Sequence, residues 1–210
     1  MNSARPLFIA LEGIDGSGKS TQCRLLTENL RKSGVDVYGT FEPTDGQVGT
    51  FIRSILRNKA KADNRTIAGL FVADRLDHLL NDETGIVRKL EWGQTVVTDR
   101  YYFSSYAYHG THMDMEWVIQ ANSMSASILR PDANIFIDVS PEVCMQRIVA
   151  GRESPELYET LDNLLKVRAK YMEAFDKLGP IENIVMINGD QPREQIAADI
   201  WQVVTSLQGH

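Results

Sequence analysis

Gly13-Ile14-Asp15-Gly16-Ser17-Gly18-Lys19-Ser20 meets the phosphate-loop pattern G-x-x-x-x-G-K-[ST] at every fixed position. The three glycines let the backbone take positive φ, so successive amide groups converge on an anion at a helix N-terminus. Lys19 adds a charge that reaches the β- and γ-phosphates, and the Ser20 hydroxyl is spaced to hold a magnesium ion bridging them. Such a loop demands a strand before it and a helix after it. Leu7-Phe8-Ile9-Ala10-Leu11 is a short apolar run, and Thr21 to Lys32 carries Cys23, Leu25, Leu26 and Leu30 on the apolar positions of a helix.

Five apolar or β-branched runs recur with helical segments between them: Leu7 to Leu11, Val35 to Thr40, Thr95 to Thr98, Ala133 to Val139 and Asn183 to Ile187. This alternation predicts an α/β fold, a five-stranded parallel sheet, doubly wound with helices on both faces. Helices are expected from Val48 to Asn58, from Asp63-Asn64 through Leu76 towards Val87 and Leu90, and from Asp114 to Leu129. Others should open at Pro141, run from Leu157 to Leu178, and close the chain from Gln195 to Leu207. With 210 residues, no repeat and no linker, residues 1–210 are expected to form one domain.

A net charge of −6 argues against a broad nucleic-acid or anionic-membrane surface, so any anion must be gripped by local arginines and lysines. The apolar run near the N-terminus stops at Glu12, too short for a signal peptide or a membrane span, and a cytoplasmic location is expected. Cys23 and Cys144 form no C-x-x-C pair and read as small core residues. His109 and His112 lack a third partner for a metal.

Ligands of a doubly wound sheet sit beyond the carboxyl ends of its strands. The residues there are polar and charged: Glu12 and the phosphate loop, Glu42-Pro43-Thr44-Asp45-Gly46, Asp99-Arg100, Asp138 and Ser140. Asp99 ends an apolar run and is placed to hold magnesium or its waters. Arg100 beside it can bridge two phosphoryl groups.

The chain resembles the thymidylate kinase family, nucleoside monophosphate kinases that phosphorylate dTMP with ATP. The resemblance spans nearly the whole chain. It rests on the phosphate loop through Thr21, on Phe41-Glu42-Pro43 with Gly49 and Ile52-Arg53, on Leu70-Phe71-Val72-Ala73-Asp74-Arg75, and on Asp99-Arg100-Tyr101 with Ser104-Ser105 and Ala107-Tyr108. It implies an ATP site at Gly13, Ile14, Asp15, Gly16, Ser17, Gly18, Lys19, Ser20 and Thr21, with Arg147 stacking on adenine. It implies a dTMP site of Glu42, Pro43, Arg53, Phe71, Arg75, Arg100, Ser104, Ser105, Tyr108 and His109. There Phe71 stacks on thymine, Arg75 hydrogen-bonds the base, Arg53 and Arg100 hold the phosphate, and Tyr108 packs near the sugar. Phe71 and Arg75 are four residues apart, so they share a helix face. Lys19, Arg100, Arg152 and Asp15 are the implied catalytic residues, Ser20 and Asp99 the magnesium ligands, and a homodimer packed through helices the implied assembly.

Four positions depart from the family's pattern. Phe41 stands where an arginine is usual, and His109 stands where a glutamine often reads the thymine edge. Gly16 stands where some members carry a loop arginine, so a lid over about 147–159 must supply the charge, with Arg152 the best candidate and Leu157 in place of a further lid arginine. The rival readings are another phosphate-loop nucleotide or nucleoside kinase, with Glu42 as base, and a nucleotide switch without acceptor chemistry.

Overall fold

The computed structural model describes residues 5–151 and 157–208. Five strands, β1 (Phe8–Glu12), β2 (Val37–Phe41), β3 (Thr95–Asp99), β4 (Ala133–Asp138) and β5 (Ile184–Asn188), form one all-parallel sheet in the order β2-β3-β1-β4-β5. Every residue of β1 is buried, and β3 and β4 are buried up to their last residue. Side chains of a strand alternate between faces, so continuous burial means that helices cover both faces. The edge strands β2 and β5 are only partly covered.

The described helices are α1 (Lys19–Lys32), α2 (Gln47–Leu56), α3 (Asn64–Leu80), α4 (Ile86–Glu91), α5 (Tyr102–His109), α6 (Met115–Ile128), α7 (Pro141–Gly151), α8 (Leu161–Leu178) and α9 (Arg193–Gln208). α1 packs on β2, β3 and α9, while α5 packs between α6 and α8. Tyr101, Tyr102, Phe103 and Tyr106 carry the core from the sheet into these helices, in ring contacts reaching Phe8 and Phe175.

The helix expected to run from Asp63 to Leu90 is two helices. Asp63 caps the first by accepting from the Arg65 amide. At Asn81 the backbone turns extended, and its side-chain oxygen takes the amides of Glu83 and Thr84, which ends α3 and restarts the chain as α4. The helix expected from Leu157 begins at Leu161, because Thr160 is its cap, accepting from the Asn163 amide. α5 is not among the helices expected from the sequence. It is a helix whose eight residues are all buried.

The sheet register sets the site. Leu11 pairs with Asp99, Phe41 with Asp99, and Glu12 with Phe136, so β1, β2 and β3 end within a residue of one level and β4 runs two residues past the end of β1. β1 returns to one side of the sheet through β2, and β3 crosses to the other through β4. The crevice between their ends is where a doubly wound sheet opens.

Candidate active site

One cavity of about 750 Å³ occupies that crevice. Its wall joins Lys19, Ser20 and Thr21 to Phe71, Arg75 and His109, so the phosphate loop and the pocket expected for a base share one space.

Around the phosphate loop the backbone does most of the shaping. Gly18 has φ 91 and serves as the N-cap of α1 without a side-chain cap bond, and the first turn carries no acidic residue. The amides of that turn are therefore kept for an anion rather than for a protein carboxylate. Gly16 has φ 81, and a Cβ there would lie 2.5 Å from the Cys144 carbonyl oxygen. That contact excludes an arginine at position 16 for a local steric reason. Lys19 is 5% exposed and donates from Nζ to the Ile14 carbonyl at 2.8 Å. Burial and the charge of Arg100 push its pKa below the ordinary lysine value, against the pull of Asp99, Asp15 and Glu12.

Asp99 and Ser20 meet as expected, with the Ser20 hydroxyl donating to Asp99 Oδ2. The other carboxylate oxygen, Oδ1, is buried and has no hydrogen-bond partner. Next to it Arg100 has φ 76, a left-handed conformation that costs a residue with a side chain and turns its guanidinium into the cavity wall. Arg100 Nη2 donates to Asp15 and to the Tyr108 hydroxyl, and Nη1 donates to Ser104 Oγ at 3.0 Å. The Tyr108 hydroxyl donates to Asp15 Oδ2 at 2.8 Å and accepts from the Asp15 amide at 2.9 Å. Asp15, Arg100 and Tyr108 thus tie the phosphate loop to α5. Burial opposes the Arg100 charge, but Tyr108, Asp15, Tyr171 and Asp99 more than offset it and keep it protonated.

Glu12, given no role from the sequence, holds this turn from beneath. Fully buried, it accepts from the Tyr101 amide at 2.8 Å, Ser104 Oγ at 2.6 Å and the Tyr171 hydroxyl at 2.9 Å. Burial raises its pKa, against Ser104, Arg100, the Tyr101 amide and Tyr171. Ser104 is therefore a bridge from Glu12 to Arg100 as well as part of the wall.

On the other side of the cavity, Arg75 is 1% exposed and forms a buried pair with Glu42 at 2.5 Å. Glu42 Oε1 faces His78 Nδ1 at 3.1 Å, and His78 Nε2 faces Thr40 Oγ1 at 2.7 Å. Burial alone would raise the Glu42 carboxyl, but Arg75 and His78 outweigh it and hold its pKa below the ordinary value. Arg53 donates to the carbonyls of Pro43 and Thr44 and to Asp45, which fastens α2 to the turn after β2. Phe71 is half-buried, with its ring 5.2 Å from that of His109 at 56°. Burial, with the charges of Arg75 and His112, pushes the His109 pKa down to about 3, so its imidazole is neutral.

Of the residues expected at the site, Asp15, Gly16, Gly18, Lys19, Ser20, Thr21, Glu42, Pro43, Arg53, Phe71, Arg75, Asp99, Arg100, Ser104, Ser105, Tyr108, His109 and Arg147 all line the cavity. Gly13, Ile14 and Ser17 shape the loop from behind, with Ile14 and Ser17 buried. Arg152 lies outside the described residues, as do residues 153–156 of the expected lid. Thr40, Phe41, Leu56 and Tyr158 line the cavity without having been expected there. Tyr158 is 9% exposed and packs edge-on to Tyr108 at 6.0 Å, with its hydroxyl enclosed and unpartnered. Phe41, 44% exposed, makes an apolar rim where a charge is usual in the resembled family. Periodicity could not find these residues, which reach the cavity from the end of β2, the end of α2 and the turn before α8.

The thymidylate kinase family model matches residues 11–200. The thymidylate kinase of Leptospira borgpetersenii serovar Hardjo-bovis (strain L550) is 32% identical over 97% of this chain and 95% of its own. The thymidylate kinase of Leptospira interrogans serovar Lai is 31% identical over 97% and 96%. A Pyrococcus horikoshii protein named Probable thymidylate kinase is 35% identical over 95% and 96%. These matches span both the phosphate loop and the Phe71 pocket, and the chain belongs to the thymidylate kinase family.

Proposed function

We propose that the cavity binds ATP and dTMP end to end, with ATP on the phosphate loop, dTMP against Phe71, and the γ-phosphoryl group moving in line to the dTMP phosphate. As a member of its family the chain is a dTMP kinase of nucleotide biosynthesis, with ATP the donor that the family implies. The observation that carries the site reading is that one continuous cavity joins the uncapped N-terminus of α1 to the Phe71 pocket, with Arg100 between them.

The acceptor oxygen of dTMP is already anionic near neutral pH, so the protein is asked for positioning and charge neutralisation rather than a strong base. Lys19 and Arg100 hold positive charge on either side of the path, and Asp15 with Tyr108 fixes where Arg100 points. Asp99 Oδ1, buried and unpartnered beside Ser20, is the donor set a hard divalent cation needs from a protein that leaves its other positions to phosphates and water. We assign that place to magnesium, which when bound screens the β- and γ-phosphate charge. Among the described residues there is no larger cluster of metal-ligating side chains.

Arg152 remains the proposed transfer arginine on sequence grounds, with 147–159 as the lid of a single kinase domain and Arg147 at the adenine. A homodimer is the proposed assembly: the packed helices α2, α3 and α6 leave Phe51, Leu80, Trp117 and Met124 exposed. No described helix is long and apolar enough to cross a membrane. We place the reaction in the cytoplasm, with its two nucleotide substrates. The nucleoside-kinase reading loses its base, because both oxygens of Glu42 are held by Arg75 and His78.

Incubation with magnesium-ATP and each nucleoside monophosphate in turn, with ADP release as the readout, tests the proposal. Turnover should be highest with dTMP. Faster turnover of another monophosphate, or of thymidine itself, refutes the acceptor assignment.

A further inference from the structure

Arg100 carries its charge on a stretch of backbone that has to be held. At φ 76 it occupies the left-handed region, which a residue with a side chain keeps only when its surroundings fix it there. Three hydrogen bonds do so: the Arg100 amide donates to the Leu11 carbonyl at 2.9 Å, the Arg100 carbonyl accepts from Thr98 Oγ1 at 3.0 Å, and the next amide, that of Tyr101, donates to Glu12 Oε1 at 2.8 Å. The first two come from the ends of β1 and β3. The third depends on a single side chain.

Glu12 touches both halves of the cavity. Its backbone leads from β1 straight into Gly13, the first residue of the phosphate loop, while its carboxylate lies under the Arg100 turn. Oε1 accepts the amides of Tyr101 and, at 3.3 Å, Ser104; Oε2 accepts the hydroxyls of Ser104 at 2.6 Å and Tyr171 at 2.9 Å. A carboxylate only accepts, so Ser104 spends its one hydroxyl hydrogen on Glu12 and meets Arg100 Nη1 with a lone pair, at 3.0 Å. Tyr171, from α8, lies 2.8 Å from Ser104 Oγ and 3.3 Å from the Gly13 carbonyl, so one cluster bonds the start of the phosphate loop and the Arg100 turn together. Glu12 and Tyr171 are wholly buried, and no water competes for these contacts.

We propose that Glu12 and Tyr171 are positioning residues for phosphoryl transfer: through Ser104 and the Tyr101 amide they hold the Arg100 guanidinium in register with the phosphate loop. This rests on the reading of Arg100 as a charge beside the path of the moving phosphoryl group. Neither Glu12 nor Tyr171 lines the cavity, so each acts through Arg100. An error in their placement shifts Arg100 against the donor cradle and is felt in the rate of transfer more than in the affinity for ATP. Glu12→Gln keeps the shape and breaks the pattern. The amides of Tyr101 and Ser104 need an acceptor, so the new NH2 group falls at the Oε2 position, where it turns the hydroxyl hydrogens of Ser104 and Tyr171 away.

The test is a double-mutant cycle with Arg100, read as the single-turnover rate of transfer from ATP to dTMP, with urea midpoints to show that each variant is folded. Glu12→Gln should lower the rate about 10- to 100-fold and Tyr171→Phe about 3- to 10-fold, each leaving the ATP KM within about twofold. In an Arg100→Ala background no guanidinium remains to be placed, and both substitutions should change the residual rate by less than about twofold. A merely structural role would slow both backgrounds alike, so equal fold-losses in the two overturn the proposal. Parental rates in both Glu12→Gln and Tyr171→Phe overturn it as well, as does a parental rate in Arg100→Ala. Should Glu12→Gln not fold, equal losses in the two backgrounds or a parental rate for Tyr171→Phe overturn it instead. A parent that does not turn over dTMP refutes the reading of the site itself.

Discussion

Around the phosphate loop the cavity wall is mainly backbone, and around Phe71 it is side chains brought from several elements. The first half depends on left-handed glycines and the unspent amides of α1, all within eight consecutive residues. The second needs Glu42 after β2, Arg75 and His78 on α3, Ser105 and His109 on α5 and Asn122 on α6, joined by hydrogen bonds across 30 to 47 residues of sequence. The difference teaches where each half is fragile. A backbone cradle fails when a methyl group is added. A buried polar network fails when one partner is taken away, because the rest are left charged or unsatisfied.

The comparison is sharpened first by Lys19→Ala, the largest expected effect. Turnover should fall by about 10³-fold or more, since a preorganised positive charge on the moving phosphoryl group is lost, while the urea midpoint stays near the parent's. Normal turnover in a folded Lys19→Ala protein would refute the donor half as described. Next is Glu42→Gln, which strands the Arg75 charge at 1% exposure. It should destabilise the protein by about 3–5 kcal/mol in chemical denaturation, the scale of a broken buried pair. A loss under about 1 kcal/mol would mean that the acceptor half does not depend on this network.

Gly16→Ala is the backbone counterpart. With φ 81 and a carbonyl oxygen 2.5 Å from the new Cβ, it should cost about 2 kcal/mol, read as an ATP KM raised by roughly tenfold or more with the dTMP KM little changed. If both KM values rise together, the two halves are not separable. Phe71→Ala probes the converse, raising the dTMP KM by about 1–3 kcal/mol and sparing ATP. Equal losses for both substrates would make Phe71 a core residue.

The mildest perturbation is acid. His109 has its pKa lowered from 6.5 to about 3 by folding, so between those values the unfolded chain binds a proton that the native protein does not. Stability therefore falls as pH drops below 6.5, by about 1 kcal/mol over the first unit or so. Glu42 acts in a lower window. Its folded pKa is depressed, so its contribution is complete above the ordinary carboxylate value and is lost as pH falls through the folded one. Urea midpoints between pH 7 and 5 should slope less in His109→Gln than in the parent. An unchanged slope would show that His109 is not the group being protonated.

Legibility in the sequence followed the same division. Residues 13–20 announce themselves because their contacts are local: glycine conformation, a helix start and one lysine all lie within a few residues, and no distant partner is needed to interpret them. The parallel sheet was legible as a class, though not its strand order, since buried parallel strands are continuous apolar runs between helices. The break at Asn81 was missed because helical periodicity continues through Ile86 and Leu90, while a side-chain cap that turns the backbone is invisible to periodicity.

What the sequence by itself determined is the donor cradle, the parallel sheet and the family, because each rests on spacing along the chain. What only the tertiary structure decided is how the charged residues are spent. Arg75, set by the resemblance to hydrogen-bond the base, is bonded within the protein to Glu42, Ser105, Asn122 and Tyr101. His109, read from the sequence as standing in for a glutamine, has its Nδ1 enclosed without a hydrogen-bond partner in the cavity wall. Glu12 reads as a strand end and is the hidden support of the Arg100 turn. Hydrogen bonding is a property of neighbours in space. Which donors remain for a ligand is known only after the protein has taken its own share.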